Sequence, residues 1–124
     1  MSAWNPADLE RIARATELRI ASRRPDGSLR PFVIIWAVRS GDDLYVRAAH
    51  GPDTGWYRHA SSSGVGRIQA GGVELDARFE PAGRESADMV TAAYHAKYDR
   101  FGAAYVDPVV SSESEGLTLR IVPA

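Results

Sequence analysis

At 124 residues the chain can build one hydrophobic core but not two, so a single domain over residues 1–124 is expected. Its composition, 44% apolar and 25% charged, is that of a folding globular protein, and a net charge of −1 gives no field to draw nucleic acid or an acidic membrane, so neither partner is expected. Without cysteine, disulfides, thiolate metal sites and cysteine nucleophiles are excluded; with no membrane-length apolar run and no apolar signal core in residues 1–9, a cytoplasmic location is expected.

The first element reads as a helix from Pro6 to Ala15. Asn5 suits its cap, Pro6 its first position and Asp8 the positive end of its dipole, with Leu9 and Ile12 facing inward. From Glu17 to Arg24 the period changes to two, Leu18 and Ile20 on one face and Arg19, Ala21 and Arg23 on the other, which predicts a strand. Pro25-Asp26-Gly27-Ser28 then supplies turn chemistry. In the next run, Pro31 to Val38, Phe32, Ile34, Trp36 and Val38 share one face and Val33, Ile35 and Ala37 the other. Neither face expects water, so this reads as the central strand. Gly41-Asp42-Asp43 turns the chain into a third strand, Leu44 to Ala49, completing a meander from Leu18 to Ala49.

His50 to Gly55 reads as a glycine-bounded loop, Trp56 to Ala60 as a short helix and Ser61-Ser62-Ser63-Gly64 as a flexible stretch. Arg67 to Ala70 and Val73 to Glu80 flank Gly71-Gly72, a two-residue hairpin signal; Val73, Leu75, Ala77 and Phe79 alternate with charged residues, so one side is solvated. Arg84 to Phe101 predicts the longest helix, with Val90, Tyr94, Tyr98 and Phe101 near one face. Residues 102–116 read as irregular, and Leu117, Leu119 and Ile121 mark a closing strand. About six short strands without a strand–helix rhythm predict a mainly β fold, an antiparallel barrel with flanking helices rather than a parallel nucleotide-binding sheet.

Three segments run in the order of a known meander: Arg23-Arg24-Pro25-Asp26-Gly27-Ser28, Phe32 to Val38 with Trp36, and Asp43-Leu44-Tyr45-Val46-Arg47. In these the chain resembles the pyridoxamine 5′-phosphate oxidase-like split β-barrels, especially their deazaflavin-dependent branch. Gly55-Trp56-Tyr57-Arg58, Tyr94-His95-Ala96-Lys97-Tyr98 and Thr118-Leu119-Arg120 bring it near a small uncharacterised bacterial branch that resembles the deazaflavin-dependent nitroreductase group. The resemblance implies a homodimer packed barrel to barrel, with FMN or deazaflavin in a groove between protomers. It implies Arg47 and Arg58 as phosphate partners, a role that the bidentate guanidinium suits, and Ile34, Ile35 and Trp36 beside the ring. Trp56 joins this cofactor-binding set, although both Trp36 and Trp56 suit a core or a dimer interface better than they suit ring stacking.

The implied function is an oxidoreductase that passes a hydride between the cofactor and a small electron-poor substrate, the protein supplying binding and orientation. No catalytic side chain is assigned. A second reading keeps the barrel as a ligand-binding or interaction module without the cofactor, because Asp53-Thr54-Gly55-Trp56 stands where many flavin-binding members carry Lys or a second Arg. His50, Asp53 and His59 match no established ligand spacing and no metal is assigned, while His59 alone is a candidate proton donor. There is no Walker lysine and no Gly-x-Ser-x-Gly elbow, hence no motif for a phosphate loop or a hydrolase.

Overall fold

The computed structural model describes residues 4–124. Helix α1 spans Pro6–Arg14, and the Asn5 side-chain oxygen accepts from the backbone N–H groups of Ala7 (2.9 Å) and Asp8 (3.2 Å), satisfying two orphan donors of the first turn. Among the described residues seven strands follow: β1 (Leu18–Ser22), β2 (Val33–Ile35), β3 (Ala37–Ser40), β4 (Asp43–Arg47), β5 (Val65–Ala70), β6 (Val73–Pro81) and β7 (Thr118–Pro123). They form one antiparallel sheet in the order β2-β1-β5-β6-β7-β4-β3. The two end strands, β2 and β3, are consecutive in the chain with only Trp36 between them, so the sheet curls into a nearly closed barrel. Helices α2 (Gly55–Ser63), α3 (Ala87–Tyr98), α4 (Ala103–Val110) and α5 (Ser112–Glu115) flank it.

The expected meander is present, but its middle strand is not one central strand. β2 pairs with β1 (Leu18↔Ile35) and β3 with β4 (Ala37↔Val46), and the ladder breaks at Trp36. Side chains of α3 take over the peptide groups there. Tyr94 donates to the Trp36 carbonyl (3.2 Å), Lys97 donates to the Ala37 carbonyl (2.7 Å), and the Tyr98 hydroxyl accepts from the Ala37 N–H (3.2 Å) while donating to the Thr16 carbonyl (2.7 Å). Only the second half of the run is covered on both faces. Ala37 lies in the barrel and Val38 under α3, whereas Val33 and Ile34 of β2 are 41% and 51% exposed.

The apolar side chains form two clusters. Leu9, Ile12, Leu18, Ile20, Leu44, Val46, Ile68, Phe79, Leu119 and Ile121 fill the barrel. Val38, Tyr45, Val90, Tyr94, Tyr98, Val106 and Val109 form a second layer between the barrel wall and α3–α4. The alternation along β4 explains the division: Leu44 and Val46 point into the barrel, Tyr45 and Arg47 toward the helices.

Three further expectations need correction. The serine stretch is not a loop: α2 runs through Ser63 and is stopped by Gly64 in the left-handed region (φ 72°), a helix-ending conformation for which glycine is suited. Residues 102–116 contain α4 and α5; Pro108 inside α4 and Gly102 before it give the segment the composition of a loop, yet Val106 and Val109 anchor it on the second core. The long helix is a regular α-helix only over α3, with single 3-10 turns at Arg84–Ser86 and Asp99–Phe101, and Phe101 at its end is exposed. The Gly71-Gly72 turn is as expected, both residues at positive φ, and its backbone touches the Arg11 carbonyl of α1 so closely that only glycine fits at 71.

Candidate functional site

The break at Trp36, the exposed face of β2 and the start of α2 enclose a cleft of about 460 Å³. Its lining includes Ile34, Ile35, Trp36, Arg47 and Trp56, together with Glu17, His50 and Tyr105. Five of the six cofactor-binding residues expected from the sequence therefore meet in one place. The volume lies within the range of small-molecule sites, and the walls are mostly apolar with few polar groups. Trp36 is held rigidly, stacked on Tyr98 with ring centroids 3.9 Å apart and planes 6° from parallel.

Arg47 reaches the cleft wall but is 3% exposed. Nε donates to Thr118 Oγ1 (2.9 Å), Nη1 to Thr91 Oγ1 (2.7 Å) and the Val109 carbonyl (3.3 Å), and Nη2 to the Ala87 carbonyl (2.9 Å). Four of the five guanidinium N–H groups are thus committed to neutral acceptors on β7, α3 and α4. Burial pushes the Arg47 pKa down, opposed by Tyr94 and Glu115. It is a cation stapling the helical layer to β4, with no carboxylate in salt-bridge contact among the described residues.

Arg58 is exposed on α2 and lines none of the cavities around it. Beside the cleft lie further cavities that bring Trp56 and His59 together with Arg23, Arg24 and Arg30, three arginines given no role from the sequence. A channel of about 280 Å³, lined by Ile20, Ser22, Arg30, Val33, Trp56 and His59, shares Val33 and Trp56 with the cleft. A third depression of about 370 Å³ shares Arg30 and His59 with that channel and adds Arg23, Arg24, Ser62 and Ser63. The three cavities form a track along β2 and α2, apolar at one end and cationic at the other.

The cationic end is only partly compensated. Arg23 is paired with Asp76 (2.9 Å), but among the described residues no carboxylate makes a salt bridge with Arg24, Arg30 or Arg58. Arg30 Nε is buried without a hydrogen-bond partner among the described residues, as is Arg120 Nε outside the track, and of the two only Arg30 faces these cavities. His59 has its pKa lowered by burial and then by the charges of Arg30, Arg58 and Arg24. Asp26, the acid nearest in sequence, is held by the Ser28 N–H (2.9 Å) and hydroxyl (2.6 Å), and Asp53 lines none of the three cavities. Among the described residues no group of three or more His, Asp or Glu is placed to hold a metal; His50 belongs to the cleft and His59 to the cationic end. The placing of Arg24 and Arg30 on either side of the Pro25–Ser28 turn was the available signal, since the hairpin brings the two ends of that turn together, as the Arg23↔Leu29 bridge shows.

Solved structures share this split-barrel fold. A putative 5-nitroimidazole antibiotic resistance protein from Bacteroides thetaiotaomicron superposes with a TM-score of 0.60 at 14% identity, over 99% of this chain and 81% of that one. An F420 reductase matches at 0.50 and 15% identity, over 93% and 91%. A FAD and heme binding protein from Mycobacterium smegmatis matches at 0.53 and 16% identity, over 99% and 67%. At these identities the likeness shows the fold alone. No curated protein matches the chain by sequence. A family model does match, over residues 8–121, and since it takes in every strand and helix from the body of α1 into β7, the chain belongs to DUF2255, the uncharacterized proteins conserved in bacteria.

Proposed function

We propose that the protein binds a phosphate-bearing aromatic cofactor of the flavin or deazaflavin class along this track. As a cytoplasmic homodimer it would serve as an oxidoreductase toward a small electron-poor substrate. The observation that carries the reading is the continuity of the track: an apolar cleft walled by Trp36, Trp56, Ile34 and Ile35 leads to an arginine cluster in which, among the described residues, Arg24 and Arg30 lack a salt bridge and Arg30 Nε is buried without a hydrogen-bond partner. An elongated ligand with an aromatic ring at one end and an anion at the other satisfies both ends. The bound ring system would supply hydride chemistry. Arg30, Arg24 and His59 hold the phosphate by charge-assisted hydrogen bonds. The rigid Trp36 and the apolar edge of β2 orient the ring and exclude water on one side. The buried positive charge of Arg47 favours electron-rich, anionic species in the cleft.

The fold of the neighbours named for F420 and FAD supports this class of cofactor without choosing between them. The exposed Val33 and Ile34 on β2 and Tyr105 on α4 supply an apolar rim that a second protomer would cover, giving the open cleft its other wall. Fluorescence titration with FMN and with deazaflavin tests the reading: saturable binding of either, weakened at least tenfold by Arg30→Ala, is expected. Absence of saturable binding to both, with the wild-type protein dimeric and folded, refutes it. Binding without turnover of nitroaromatic or enone acceptors would favour the module without redox activity.

A further inference from the structure

Lys97 is the one lysine among fourteen arginines, and its side-chain amine stands apart from the cleft and its cationic end. It lies on α3, its Nζ donating to the Ala37 carbonyl (2.7 Å) and sitting 5.0 Å from the centroid of the Tyr98 ring. Around it is a hollow of about 310 Å³ lined by Ala13 of α1, Val38 and Arg39 of β3, and Ala93 and Ala96 of α3. The small side chains leave room for a short acyl group. We propose that Lys97 is a nucleophilic modification site, acylated by small anionic acyl donors of the acyl-phosphate class that enter this hollow.

The charged surroundings favour this chemistry. Among the described residues no carboxylate makes a salt bridge with Nζ, and Asp99, a near neighbour in sequence, is engaged by His95 (2.8 Å). From β3 comes Arg39, whose Nε bonds the Gly41 carbonyl and whose Nη2 makes only a 3.5 Å contact with the exposed Asp42; from the turn after α3 comes Arg100. The carboxylate of Glu17 acts on Tyr98 and does not line the hollow, to which α1 contributes only Ala13. Burial, and then the Arg100 charge, lower the Lys97 pKa to about 8. About a quarter of the amine is then neutral at pH 7.5, against roughly one part in a thousand for an ordinary lysine. Arg39, the guanidinium that lines the hollow, attracts a phosphoryl anion and stabilises it as it leaves.

The step balances without a co-reactant. The neutral amine attacks the acyl carbon, the acyl–oxygen bond breaks with its electron pair leaving on inorganic phosphate, and the amine releases one proton to solvent. The amide keeps one N–H for the Ala37 carbonyl but removes the cation from the Tyr98 ring on which Trp36 is stacked. Acylation therefore places a neutral group one aromatic layer behind the cleft wall.

The test is incubation of the full chain with acetyl phosphate between pH 6.5 and 10.5, read by intact mass and peptide mapping. Peptide mapping, which separates Lys97 from the α-amino group, should find Lys97 acetylated, with a rate that levels off above about pH 8.5 and exceeds that of the urea-unfolded chain by about tenfold at pH 7.5. Arg39→Ala should slow the reaction severalfold with acetyl phosphate and leave a neutral active ester unaffected, and on the unmodified protein inorganic phosphate should compete. A rate still climbing at pH 10.5, equal rates in folded and unfolded chains, or modification that bypasses Lys97 overturns the site. No competition by phosphate overturns the anionic donor.

Discussion

Replacing Arg47 distinguishes a residue that holds the protein together from one that merely waits for ligand. Its four hydrogen bonds run to Thr118, Thr91, Val109 and Ala87, each from a charged donor in a buried setting where one bond contributes about 1.5–3 kcal/mol. They do not sum. Val109 O retains the Ser114 hydroxyl (2.8 Å), and Thr118 Oγ1 still donates to the Glu115 carbonyl (3.0 Å). Stabilisation is also offset by the desolvation of a cation without a counterion. The Ala87 carbonyl and the Thr91 hydroxyl lose their side-chain partner outright, at about 1 kcal/mol each, and the lost arginine stem adds about another 1 kcal/mol of cavity. Arg47→Ala should therefore destabilise the fold by about 3 kcal/mol, and Arg47→Lys by less, since the charge survives but the fork does not. In urea unfolding followed by circular dichroism, with a slope near 1.5 kcal/mol/M, the midpoint should fall by about 2 M at unchanged slope. If Arg47→Ala shifts stability by under about 0.5 kcal/mol and lowers only ligand affinity, the latch is refuted and Arg47 is a phosphate ligand after all.

Gly66→Ala should cost at least about 2 kcal/mol, because the added Cβ would lie 2.0 Å from the Ala21 carbonyl oxygen and 2.9 Å from the Phe79 ring, where β1 pairs with β5; a melting temperature within two degrees of wild type would contradict that approach. His59 is held low by burial and three arginines, and an anion that screens those charges raises its pKa, so binding takes up a proton. Calorimetric affinity for sulfate, whose charge is fixed, should rise as pH falls from 8 through 6, and His59→Gln should flatten the slope; a wild-type affinity that falls toward pH 6 would reverse the assignment. Ile34→Asp on the exposed face of β2 should yield a monomer by light scattering with little loss of thermal stability, whereas a dimer that survives the change places the interface elsewhere.

Period-two alternation and turn chemistry located most strands, since these are local properties of the backbone and of glycine and proline. Gly71-Gly72 fixed a hairpin with no help from distant residues. The alternation in Leu44 to Arg47 likewise separated residues of the barrel from residues of the helical layer, although it left open what that outer face meets. Where the local pattern failed, a distant partner was decisive. Pro31 to Val38 is a uniform apolar run, and nothing within it marks Trp36 as the break; the hydroxyls of Tyr94 and Tyr98 and the Lys97 amine, some sixty positions away, make it possible to interrupt the ladder there.

The site divides in the same way. Ile34, Ile35, Trp36, Arg47 and Trp56 were found from motif order and do converge on one cleft. The sequence by itself thus determined the barrel class and the meander, because side-chain periodicity and turn geometry are set within a few residues, whereas the stretch that borders the cleft was indicated only by the family resemblance. Only the tertiary structure decided that Arg47 is bonded into the protein while Arg30 is left without an acceptor. Two arginines of one sequence look alike, and the difference between them is which carbonyls and hydroxyls the fold brings within three ångströms.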